Sequence, residues 1–134
     1  MKALIMKQQG QHFLFPRIFV DAVDIPDDNK LQGYYDAIGC DCITMVDVEI
    51  DGHEYSIVAD DEGLFASPVV PTLHINDDCV LFGSLVFVKI DYNTGESVSL
   101  NHDDAERIMK YIKSREQALR DFIKLYCEKH LARA

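Results

Sequence analysis

The apolar positions of this chain form short runs, several of them alternating, up to Leu100 and follow a helical period after it. Ala3–Met6 and His12–Phe15 are apolar runs on either side of Gln9-Gly10, which predicts two short strands and a turn. Pro16 limits pairing at that point and so belongs on an edge. Ile18–Val23 is a further apolar run. Pro26-Asp27-Asp28-Asn29 is a loop with a helix-start signal, because aspartate caps a helix N-terminus well. Leu31–Ile38 then predicts a short helix that Gly39 ends.

The clearest local pattern follows. Ile43–Ile50 alternates, Asp51-Gly52 comes next, and Tyr55–Val58 is apolar again. Asp-Gly between two such runs predicts a hairpin, since a type I′ turn needs positive φ at both central residues. A two-residue turn sets Ile50 opposite His53, Val48 opposite Tyr55 and Val46 opposite Ile57, all on one face. Asp47, Glu49, Glu54 and Ser56 share the other face, with Glu49 facing Glu54. That face is expected to be exposed, at least near the turn. Asp60-Asp61-Glu62-Gly63 predicts a turn, Leu64-Phe65 a short strand, and Pro68 to Asp78 irregular structure. Val80–Ile90 predicts one long central strand, with Gly83 marking a bulge or a close approach. After an Asn93-Thr94-Gly95 turn, Glu96–Leu100 is expected to pair back onto it.

Asn101 caps the final helix, and Asp104 completes a variant of the capping box. Ile108, Ile112, Leu119, Phe122, Ile123 and Tyr126 recur at helical spacing. Arg115 and Glu116 interrupt that stripe and predict a bend. Together the elements predict an α+β fold: a small, mainly antiparallel sheet, a short helix after the first strands, and a long C-terminal helix. Residues 1–134 form a single domain in this reading, without internal repeats or a linker.

Charge divides the domain in two. Met1 to Asp104 carries 19 acidic residues against 5 basic ones; Ala105 to Ala134 carries 4 against 8. An acidic strand-rich body (residues 1–100) is thus followed by a basic helix (residues 101–134). A net charge of −10 and a pI near 4.7 argue against binding to nucleic-acid phosphates. The same acidity serves solubility, and it steers the body toward basic protein surfaces. The longest apolar stretch, Cys79–Ile90, is interrupted by Gly83, Ser84 and Lys89 and is too short to span a bilayer. Met1–Gly10 has no apolar core followed by a small-residue cleavage site. The expected setting is therefore cytoplasmic, with Cys40, Cys42, Cys79 and Cys127 reduced.

Candidate chemistry is sparse. Cys40 and Cys42 are too close together for a zinc knuckle, no second pair exists, and the histidines are scattered, so neither a metal nor a cofactor is expected. Asp60, Asp61 and Glu62 lack the spacing of a calcium loop. Glu49 and Glu54 lack a cleft that would separate their pKa values for acid–base work. A thiol of Cys40, Cys42 or Cys79 beside His53 or His74 has no local signature, and packing is the simpler role. No nucleophile elbow, P-loop or dinucleotide fingerprint is present. The chain is not expected to be an enzyme.

Four stretches carry a family resemblance: Leu31-Gln32 with Ile38-Gly39-Cys40-Asp41-Cys42-Ile43, then Asp60-Asp61-Glu62-Gly63-Leu64, then Leu81-Phe82-Gly83-Ser84-Leu85-Val86, then Ser99-Leu100 before a helix. From about Leu31 to Ile112 the chain resembles domain of unknown function 3846, a family of phages, plasmids and other mobile elements. Gly39, Gly52, Gly63 and Gly83 are the expected structural turns of this chain. The resemblance implies no activity. It implies a context in which small acidic accessory proteins block host defence. The leading expectation is a counter-defence inhibitor that binds a basic surface of a host protein, such as a CRISPR or other nuclease, without turnover. Its expected contacts are Asp47, Glu49, Glu54, Asp60, Asp61 and Glu62. One alternative is a binder that sequesters a nucleotide immune signal, drawing on Arg17, Lys30, Lys89, Arg107 and Lys110. Another is a structural or regulatory accessory protein. Ile112, Leu119, Phe122, Ile123 and Tyr126 are candidates for packing on the body or for a homodimer.

Overall fold

The computed structural model describes residues 1–9, 17–62, 71–76, 79–91 and 93–131, and their side chains except at positions 8, 9, 17 and 126–131. The elements run β1 (Lys2–Gln9), β2 (Arg17–Asp24), α1 (Lys30–Ile38), β3 (Ile43–Ile50), β4 (His53–Asp60) and β5 (Pro71–Asn76). They continue with β6 (Cys79–Phe82), β7 (Leu85–Ile90), β8 (Ser97–Val98), α2 (His102–Ser114) and α3 (Glu116–Leu131). The class is α+β, with a mainly antiparallel sheet and a long, bent C-terminal helix.

The main sheet has the order β2-β1-β7-β4-β3, with β8 added to β7, and all its described pairs are antiparallel. β5 and β6 form a separate two-stranded sheet. In β7, Leu85, Val86, Phe87 and Val88 are all fully buried. A continuous apolar run of this kind requires a sheet covered on both faces. On one face α1 packs Tyr34 against Ala3, Ile5, Val58, Val86 and Val88. On the other, Ile108 and Ile112 of α2, with Leu73 and Leu81 of the small sheet, cover Met6, Ile57, Leu85 and Phe87.

Local signals place the helices. Asn29, rather than either preceding aspartate, caps α1 by accepting from the Gln32 N–H. Gly39 closes α1 with φ +79. Asn101 and Asp104 form a complete capping box on α2. The expected bend falls at Arg115, between α2 and α3. The Arg115 guanidinium lies 2.8 Å from both the carbonyl oxygen and Nδ1 of His74 in β5. Ile112 before the break therefore serves the main sheet, while Leu119 and Ile123 after it are buried on an element that packs on β5.

Two strand expectations are corrected. Val80–Ile90 is not one central strand. It divides at Gly83 (φ +75) into β6 and β7, which belong to different sheets. Thr72 Oγ1 donates to the Gly83 carbonyl at 2.6 Å and ties the junction to β5. Nor is the stretch from Pro68 to Asp78 irregular throughout. Pro71–Asn76 is β5, where proline at the first strand position forfeits little of the ladder. β1 runs through Gln9, which pairs with Arg17 instead of turning. Gly10, His12–Phe15, Pro16, Gly63 and Leu64-Phe65 lie outside the described residues.

Gly33 marks the tightest contact of α1. A Cβ there would lie 2.7 Å from Pro26 Cδ and 2.9 Å from Ile25 Cγ2. Gly33→Ala should therefore destabilise the fold by about 1–3 kcal/mol, despite alanine's better helix propensity. Urea denaturation checks this; an unchanged or raised midpoint would show that Pro26 and Ile25 yield to the methyl.

Candidate interaction surface

The β3–β4 hairpin has the predicted turn and register. Asp51 (φ 50) and Gly52 (φ 79) both take positive φ, as a type I′ turn demands. Ile50 pairs with His53, Val48 with Tyr55, and Glu49 with Glu54. Strand side chains alternate between faces. Val48, Ile50, Tyr55 and Ile57 enter the α2-side core, so Asp47, Glu49 and Glu54 project on the α1 side. All three acids are exposed. Farther from the turn only the β4 half of that face is covered: Ser56 is buried and donates to Asp47 Oδ1 at 2.7 Å.

Asp60 lies at the opposite end of the hairpin, paired with Ile43. Its carboxylate accepts from the Glu62 N–H at 2.9 Å, while the Asp61 N–H donates to the Cys42 carbonyl. Six residues of strand separate Asp60 from Glu54, about 20 Å. The expected contacts therefore form two groups on one hairpin and converge on no single point. Asp21, opposite Ile5 of the α1-side core, and Asp36, exposed on α1, add to the same side of the molecule. The exposed cations Lys110, Lys113, Arg120 and Lys124 sit on α2 and α3. Lys7, in line with Ala3 and Ile5 on β1, shares the α1 side, and α2 and α3 also carry the exposed acids Asp103, Glu106, Glu116 and Asp121, so the charge split along the chain becomes only in part a difference between the two sides of the sheet. Among the described residues, no ion pair involves Asp47, Glu49 or Glu54.

Of the basic residues considered for a nucleotide, the Arg17 side chain lies outside the described ones, and the others form no open common site. Lys30 donates to the Ser97 carbonyl on the α1 side, and Lys89 and Arg107 are engaged by Asp104. Lys110 lies at a cleft of about 330 Å³ between the sheet and the α2–α3 bend, whose walls include Met6, Val20, Leu73 and Leu119. Lys113 stands on the same wall. Of the candidate self-association residues, Ile112, Leu119 and Ile123 are buried in the protein's own core and Phe122 is half-buried. The Tyr126 side chain lies outside the described ones.

One polar cluster escaped sequence reasoning. Asp104, only 2 % exposed, accepts from the Tyr55 hydroxyl at 2.7 Å and from Arg107 at 3.3 Å on Oδ1. Its Oδ2 accepts from Lys89 at 3.2 Å and from the Asn101 N–H at 3.0 Å. Arg107 also donates to the Tyr55 oxygen at 2.7 Å. A tyrosine in core register needs a partner for its hydroxyl, and that was the available signal. Burial pushes the Asp104 pKa up, but the hydrogen bonds from Asn101, Tyr55 and Lys89 outweigh it and leave the pKa lowered. With both carboxylate oxygens doubly engaged, the cluster is a closed fastening between α2 and the sheet. The Cys40 thiol is pushed up by burial and by Asp60, opposite to what a nucleophilic thiolate requires. Among the described residues no cluster of His, Cys, Asp and Glu is arranged to hold a metal ion. No described helix is long and apolar enough to cross a membrane.

These features define a small α+β protein: a doubly covered antiparallel sheet, acidic on its α1 side, fastened to a basic helical arm. Residues 3–113 match the family model for the domain of unknown function DUF3846, and the chain belongs to that family. The match ends at the last turn of α2, just before the bend into α3. No curated protein and no solved structure matches the chain.

Asp104 gives a pH-dependent prediction. A carboxylate whose folded pKa is lowered stabilises the fold fully above the unfolded value of about 3.9, and that contribution fades as pH falls through the folded value. Asp104→Asn should therefore flatten the acid limb of a stability–pH profile while lowering stability at neutral pH. Tyr55→Phe should cost about 1–3 kcal/mol at neutral pH. Chemical denaturation from pH 2 to 7 reads both; an Asp104→Asn profile parallel to the parent's would remove this account of acid sensitivity.

Proposed function

We propose that this protein is a non-catalytic accessory protein of a mobile element that inhibits a host defence protein by binding a basic surface on it. The nucleic-acid channel of a nuclease is the kind of surface meant. The observation that supports this most is the α1-side face of the hairpin, where Asp47, Glu49 and Glu54 are exposed without a cationic partner among the described residues. A face that presents one sign of charge gains most from a partner of the opposite sign, through faster encounter and exclusion of wrong partners. Binding here means occlusion of the channel, and it needs no chemistry from the inhibitor. The expected interior of a bacterial host cell fits this role.

A second reading draws on the cleft at the α2–α3 bend. Its walls set the cations Lys110, Lys113 and Arg115 and the acid Glu116 beside apolar side chains, which suits a small anion with an apolar or aromatic part, and a nucleotide signal is the form that a counter-defence role would give it. Thermal-shift titration with cyclic nucleotides tests it. A rise in midpoint that Lys110→Ala with Lys113→Ala abolishes supports the reading, and no shift with any of them removes it.

The leading proposal predicts that a partner purified from host lysate associates with the protein in a salt-sensitive way. Raising salt from 50 to 300 mM should slow association by roughly tenfold or more. Reversing Asp47, Glu49 and Glu54 together to lysine should abolish binding while leaving the circular-dichroism spectrum intact. Surface plasmon resonance reads both effects, and a complex indifferent to salt and to the reversal would sink the proposal.

A further inference from the structure

β3 is an edge strand of eight residues without proline, glycine or lysine. Proline, lysine and bulges are among the usual devices that keep an edge from pairing with another chain; the charges β3 does carry, Asp47 and Glu49, oppose an acidic or apolar strand and leave a basic one admissible. The phase of its hydrogen bonds is fixed. The Asp61 N–H donates to the Cys42 carbonyl, and the two-residue turn makes Ile50–His53 a bonded pair. Alternation between these ends directs the N–H and C=O groups of Met45, Asp47 and Glu49 away from β4. Among the described residues, no strand pairs with that outer edge.

From this edge, and resting on the acidic-face reading above, we infer that β3 docks an extended basic strand of the partner protein, which adds to the sheet. The side chains of Met45, Asp47 and Glu49 lie on the α1-side face and are exposed, Met45 at 45 %. An added strand would place its own side chains beside them in cross-strand rows. The row through Glu54 and Glu49 sets like charges opposite each other and gains from a lysine or arginine next to Glu49. The row through Ser56 and Asp47 takes a second cation, and an apolar side chain fits beside Met45. The occupant is thus a strand with basic residues at two alternate positions, followed or preceded at the next alternate position by an apolar one. A second copy of β3 brings two more acids and no cation to the same edge, so it cannot relieve the charge of Asp47 and Glu49.

The test uses the full chain, isotope-labelled, and a blocked peptide with lysine at two alternate positions, leucine at the next alternate position, and valine between them. A second peptide is N-methylated on the backbone at each lysine, which keeps the charge and removes the edge-facing donors. The plain peptide should shift the amide resonances of Met45, Asp47 and Glu49 and slow their hydrogen exchange. The methylated peptide should bind roughly tenfold more weakly or worse, the loss of more than one hydrogen bond. Met45→Pro, which removes an outward N–H without touching the β4 ladder, should weaken the plain peptide likewise. Equal binding of the two peptides overturns strand addition and leaves charge-driven docking of the acidic face standing. Failure of both peptides to bind overturns the two together, and shifts centred on β2 or α2 overturn the assignment to β3.

Discussion

β7 has no side chain from Leu85 to Val88 that water could solvate, and this single constraint organises the molecule. Both faces of the strand must be covered, so the sheet cannot present one wet side as a simple hairpin meander would. α1 covers one face and α2 the other, and each helix is delivered by a chain segment with its own capping signals. Burial of Leu85, Val86, Phe87 and Val88 supplies about 1.5–3 kcal/mol per side chain. Gly33 follows from the same demand. α1 must approach closely enough to seal Val86 and Val88, and a side chain at that position would hold it off against Pro26.

Covering a face fixes a helix's height above the sheet but not its position along it. For α2 that second task falls to Asp104. Its carboxylate joins the N-terminus of α2 to Tyr55 of β4 and Lys89 of β7, two adjacent strands. A buried carboxylate with every acceptor site used specifies one placement, because a slip of α2 would strand a charge in the core. The functional consequence is subtractive. Lys89 and Arg107 are engaged by this fastening, so neither is free for an anionic ligand.

Local chemistry was legible in the chain. The Asp51-Gly52 turn, the register through Glu49 and Glu54, the Gly39 stop, the Asn101 capping box and the bend at Arg115 each depend on residues close in sequence. What was not legible depends on distance. Val80–Ile90 has the composition of one strand, and only Gly83 at positive φ, held by Thr72, turns it out of the first sheet and into the second. β5 was hidden behind its leading proline, since its register shifts and its pairing with β6 are tertiary. The acidic residues could be assigned to a face because alternation along a hairpin is a local rule. That part of this face is covered, with Val58 in one core cluster with Tyr34 of α1, required knowing where α1 lies.

The Glu49–Glu54 row shows how the fold and the surface trade against each other. Like charges opposite each other in a sheet cost up to about 1 kcal/mol. The type I′ turn and the burial of Val48, Tyr55 and Ile57 on the other face determine the hairpin by several times that amount. The register is therefore secure, and the unfavourable row persists without shifting it. A one-residue slip would relieve the acids but would turn Tyr55 and Ile57 out of the core. The strain of the row consequently stays at the surface, at the end of an edge strand, where only a cation brought from outside the hairpin can relieve it.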